Sequence, residues 1–153
     1  MKVVFRCLMM LAVAVAAMVS CTAPGKPVQS DFSEIPASGW AYGDTVTLVV
    51  PPDSMVADSR LVVAVRHSAS YRYANVWLEI TVPRGDTVFT DTVDVVLADK
   101  FGRRLGRGSG VSFMKVDTLP RTYHLTDTTV IGLRHIMRVD TLSDIEQVGI
   151  IVI

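Results

Sequence analysis

Residues 75–99, "NVWLEITVPRGDTVFTDTVDVVLAD", decide the fold. In the first arm Val76, Leu78, Ile80 and Val82 fall on one side, with Asn75, Trp77, Glu79 and Thr81 on the other. That is the two-residue period of a strand with one face against a core. The second arm sets Phe89, Val93, Val95 and Leu97 opposite Thr90, Thr92 and Asp94. Between the arms, Pro83-Arg84-Gly85-Asp86 supplies turn chemistry. Two β-branched arms joined so tightly predict an antiparallel hairpin.

The same signature extends outward in both directions. Residues 44–50, 60–67, 110–116, 122–126, 128–139 and 146–153 are rich in Val, Thr and Ile, and no stretch carries a convincing helical period. Asp-Thr pairs at 44, 86, 91, 117, 127 and 140 punctuate the chain unevenly, marking turns and strand starts without forming a repeat. About eight strands in one domain predict an all-β, two-layer antiparallel β-sandwich, with a closed barrel as the lesser option.

The amino end has a different character. Lys2 and Arg6 precede an uncharged run from Cys7 to Val19, and Met18-Val19-Ser20-Cys21 follows. A basic start and a short apolar centre are the marks of a secretory signal. The run is shorter than the ~20 residues that span a bilayer. Its ending resembles the lipobox of bacterial lipoproteins, where a Cys is required because a thiolate can take a diacylglyceryl group as a thioether. The expected division is a signal peptide over 1–20, lipidated Cys21 with a tether to 34, and the sandwich over 35–153. Pro24, Gly25 and Pro27 suit a tether.

Cleavage before Cys21 removes two of the 15 basic residues and leaves the 15 acidic ones, an excess of two acids. A dedicated nucleic-acid binder needs a basic excess, so nucleic acid is not expected as a partner. With Cys7 removed and Cys21 acylated, no disulfide framework remains, and an apolar core must hold the fold. His67, His124 and His135 lack the spacing of a metal site and read as surface or half-buried residues. Ser109 lies in no nucleophile motif. The glycine-rich "GRRLGRGSG" (102–110) lacks the Lys-Ser/Thr ending of a phosphate loop. It reads as a tight turn at Gly102 and a bulge or bend over Gly106–Gly110. No cofactor, metal or enzymatic activity is expected.

The order of several features resembles the gliding motility lipoprotein GldH family of Bacteroidota. The residues that carry it are Gly39-Trp40, then Arg66, Tyr71, Tyr73, Asn75 and Leu78, then Asp91-Thr92, Leu97-Ala98-Asp99, Gly102, Leu105-Gly106 and Gly108, followed by the segment 132–150. The resemblance implies a lipid-anchored envelope component that acts by protein–protein binding in a structural or assembly role, with other parts of the gliding machinery among its partners. It implies the outer membrane. The segment after Cys21, Thr22-Ala23-Pro24-Gly25-Lys26, lacks the acids common in surface-exported lipoproteins of that phylum, which favours the periplasmic leaflet.

The expected contact surface combines Arg66, Tyr71, Tyr73, Asn75 and Trp77 with Arg103, Arg104 and Arg107. Aromatic side chains with Arg are common interface anchors. Lys100 and the three loop arginines would form a basic patch suited to anionic lipid or an acidic partner. The alternative is a glycan platform built from Tyr71, Tyr73 and Trp77 with Trp40 and Tyr42.

Overall fold

The computed structural model describes residues 29–51, 58–125 and 127–153, so the leader, Cys21 and the segment 22–28 lie outside the described residues. The strands are β1 (Gln29–Glu34), β2 (Trp40–Ala41), β3 (Val46–Val50), β4 (Ser59–Ser68), β5 (Asn75–Arg84), β6 (Thr87–Val96), β7 (Arg107–Ser109), β8 (Ser112–Tyr123), β9 (Thr129–His135), β10 (Thr141–Leu142) and β11 (Ile145–Val152). A five-stranded sheet in the order β1-β11-β4-β8-β7 packs on a four-stranded sheet in the order β3-β9-β5-β6, and β2 with β10 makes a small ribbon. Every pairing is antiparallel. The expected sandwich is the one observed.

The deciding hairpin forms as its pattern requires, in unbroken register from Asn75↔Val96 to Arg84↔Thr87. Val76, Leu78 and Ile80 are fully buried, while Trp77 on the opposite face is 42% exposed. Facing them across the core stand Leu61, Val63 and Val65 of β4 and Val148 and Ile150 of β11. Burial of each such side chain is worth about 1.5–3 kcal/mol. Ile131 and Leu133 of β9 and Leu48 and Val50 of β3 complete the other wall.

Besides the short strands β2, β7 and β10, which the pattern did not announce, two strands differ from expectation. Residues 29–34, read as part of the tether, form β1. The polar composition of "QSDFSE" hid it: β1 is an edge strand paired only with β11. Phe32 closes over Gly149, where any Cβ would overlap its ring. The second difference joins 110–116 and 122–126 into the single strand β8, which runs through Pro120. A register shift between Arg60 and Val62 of β4 lies opposite Pro120, and β7 covers only Ser112–Met114. Proline is tolerated at such a bulged, uncovered edge.

The sandwich has two distinct ends. The near end carries the start of β1, the Arg84–Thr87 turn, the end of β8 and Ile153, whose N–H bonds to the Arg60 carbonyl at 2.9 Å. The loop end carries the connections 35–45, 69–74, 97–106 and 136–144. One carboxylate ties the sheets along each flank. Asp31 Oδ2 of β1 accepts the Val49 N–H of β3 at 2.6 Å. Asp91 of β6 accepts Arg121 Nε of β8 at 3.1 Å and also the Tyr123 hydroxyl.

Candidate functional site

The loop end is organised around Arg104. An isolated bridge pairs its backbone with Ala98, and Leu105 N–H bonds to Leu97 O at 2.9 Å. So held, the guanidinium donates from Nη1 to Tyr73 O at 3.2 Å and from Nη2 to Ala69 O at 3.1 Å and to Tyr71 O. One planar fork thereby satisfies three carbonyls of the β4–β5 connection, a geometry that suits Arg and not Lys. Tyr71, fully buried, donates its hydroxyl to Asn75 O at 3.0 Å, and burial raises its pKa. The Asn75 amide reaches Asp94 Oδ1 at 2.6 Å.

Next to this hub the chain makes a tight tip at Asp99–Arg103. Asp99 Oδ1 accepts the backbone N–H groups of Phe101 and Arg103, both at 2.9 Å, and Oδ2 pairs with Arg103 Nε at 3.1 Å. The hydrogen bond from Arg103 N–H is the main reason the Asp99 carboxyl titrates below its ordinary range. Gly102 takes the left-handed conformation that the turn needs, φ 79°. Beyond it, Gly106 brings the chain so close to β8 that a Cβ would overlap the Met114 carbonyl. Residues 106–110 thus become the short strand β7 and its hairpin turn instead of a bulge.

Two histidines are core residues, which corrects the expectation of surface or half-buried positions. His67 and His135 are both fully buried. Nδ1 of His67 faces the Ser68 carbonyl at 2.9 Å, and Nε2 of His135 faces the Trp40 carbonyl at 3.0 Å. These acceptors assign the proton to those nitrogens. His67 Nε2 and His135 Nδ1 have no partner among the described residues. The His135 ring meets Trp40 edge-on at 5.3 Å, and His67 stacks on Phe113 at 5.9 Å. Desolvation lowers both pKa values from 6.5.

Protonation is therefore easier in the unfolded chain. The stability associated with neutral His67 and His135 is fully present above pH ~6.5 and is lost as pH falls toward the lower folded-state values. Denaturant unfolding at pH 7.5, 6.5, 5.5 and 5.0 is expected to show falling stability with uptake of up to two protons on unfolding. A flat profile over that range would contradict the assignment.

The expected contact residues separate into two groups. Tyr71 is in the core, and Arg104, partly exposed, spends its guanidinium on backbone carbonyls. Burial of Tyr71 differs from its expected place on a surface, and both side chains serve to order the β4–β5 connection. Asn75 and Tyr73 are half-buried, while Arg66, Trp77, Arg103 and Arg107 are exposed. Trp77 and Tyr73 border a groove completed by Ile136, Met137, Arg138 and Val139. The five aromatics do not form one platform, because Trp40 is in the core with Tyr71. Phe101, 83% exposed on the Asp99 tip, was not singled out from the sequence, though its place between Lys100 and Gly102 in a turn was a usable signal. Among the described residues no three His, Cys, Asp or Glu side chains are grouped to hold a metal.

These observations define an all-antiparallel β-sandwich domain in which Arg104 and Asp99 brace the loops at one end. The GldH lipoprotein family model matches residues 27–152, and the chain belongs to that family. It is thus a gliding-motility-associated lipoprotein, a class anchored to membrane in the cell envelope. No curated protein and no solved structure matches it.

Proposed function

We propose that the chain is a structural component of an envelope assembly, attached through acylated Cys21 and binding partner proteins with its loop end. The supporting observation is polarity. The chain leads into β1 at the near end, whereas Tyr73, Trp77, Arg103 and Arg107 are at or beside the loop end. Cys21 precedes Gln29 by eight positions, a reach of at most ~28 Å. Strands of ten residues add ~33 Å. The loops thus work at up to ~60 Å from the bilayer. Two or three acyl chains make the attachment stable, where one would be marginal. On this reading the protein acts by binding and not by catalysis, on the periplasmic leaflet of the outer membrane.

The test is Cys21→Ser in cells. The variant is expected to leave the membrane fraction, or to persist as an unprocessed form carrying the 20-residue leader. Intact mass of the wild-type protein should show an acylated amino-terminal Cys21. Membrane attachment and gel mobility unchanged in the variant would refute the anchor.

A further inference from the structure

We propose that the Asp99–Arg103 tip docks into an acidic cleft on a second copy of this chain, linking anchored molecules side by side in a row. This rests on the lipid-anchored reading above. The tip is a preformed anchor. Its carboxylate cap and its backbone bonds, including Asp99 N–H to Arg103 O at 3.0 Å, leave little to order on binding. It presents a phenyl ring 83% exposed, with the Lys100 ammonium 5.0 Å from the ring centroid. Arg103 and Arg107 follow in the chain and are exposed, and Asp99 is already engaged by Arg103 Nε and two backbone N–H groups. Nothing in the fold requires an aromatic side chain there.

The complementary surface is on the same molecule. Glu34, Asp144 and Glu146 rim an open cleft of about 690 Å³ with Pro36 and Ala37 as its apolar part and Arg66 within it. The three carboxylates are bonded to neutral donors: Glu34 to the Gln147 amide at 2.7 Å, Asp144 to the Ser68 hydroxyl at 2.9 Å, and Glu146 to the Ser112 hydroxyl at 2.6 Å. None forms an ion pair with a described residue. Their negative charge is available to Lys100 of a neighbour and to the guanidinium N–H groups that Arg103 does not spend on Asp99, and the Arg66 guanidinium can lie against the incoming ring.

Position favours a second copy over other occupants. The tip lies on the β7 flank of the five-stranded sheet and the cleft on its β1 flank, both at the loop end. A neighbour shifted sideways in the same orientation brings tip to cleft while both tethers still point to one membrane. Such a contact is head-to-tail, so it propagates instead of closing as a pair. Confinement to a membrane raises the effective concentration, so a small contact suffices.

The experiment uses the full chain in its native envelope with Arg107→Cys and Ala37→Cys introduced together, Lys100 and Arg103 kept, and mild oxidation applied. A ladder of disulfide-linked dimers, trimers and higher forms is expected, with no ladder from either single variant. Adding Phe101→Ala should reduce the ladder about tenfold, equivalent to ~1.4 kcal/mol, while the melting temperature stays unchanged. Overturning results are no ladder from membrane-bound protein, adducts only to a different protein, or a ladder indifferent to Phe101→Ala. Protein missing from the membrane fraction would instead count against the anchor, which fractionation of the same sample reports separately.

Discussion

Arg104→Ala is expected to lower the stability of the domain by about 3 kcal/mol, a drop of roughly 10 °C in melting temperature. Three carbonyls of the β4–β5 connection lose their shared donor at once. Hydrogen bonds to a charged group are worth about 1.5–3 kcal/mol each, and the partial exposure of this side chain keeps the sum below three full bonds. Arg104→Lys should recover only a part, because a single ammonium cannot span three acceptors in one plane. Thermal melts of the three proteins check the order, and amide exchange should locate the loosening at residues 69–75. An Arg104→Ala protein as stable as the parent would mean the fork is incidental.

Trp40→Ala should cost about 3–5 kcal/mol, the usual range for deleting a large aromatic from a core. The ring is 2% exposed, its Nε1–H donates to Asp44 O at 2.9 Å, and its edge packs on His135. Truncation removes the apolar contact, opens a cavity and leaves a carbonyl without its donor. The loss should be visible in fluorescence too. Trp40 and Trp77 are the chain's two tryptophans, one buried and one exposed. The variant should retain only the longer-wavelength emission of Trp77. Emission dominated by a buried ring after Trp40→Ala would contradict this placement.

Alternation made the sandwich legible, and it failed where alternation is not the controlling signal. The β5 and β6 arms have one wet and one dry face, so their period is plain in the residues. Strand β1 has a single large apolar side chain, Phe32, and is defined by backbone pairing that leaves no compositional trace. Strand β8 was expected as two pieces, 110–116 and 122–126, because nothing local announces the bulge by which it carries Pro120 past β4. For the site, exposure of Trp77 followed from strand parity, since its neighbours Val76 and Leu78 face inward. Tyr71 and Arg104 could not be assigned in the same way. Their roles arise from a contact between segments some 30 positions apart, and the sequence alone shows only an aromatic and a basic residue in loops. His67 and His135 were misplaced for a related reason: each adjoins an arginine, yet each occupies an inward strand position.

The attachment of β1 has a mechanical consequence. A pull applied upstream of Gln29, with the loop end held, runs along the strand axis. It loads the six-residue register of β1 on β11 in shear, so its hydrogen bonds resist together. The same strand pulled from Glu34 across the sheet would open like a zipper, one rung at a time. The direction of the leash therefore makes an edge strand a strong place to bear tension.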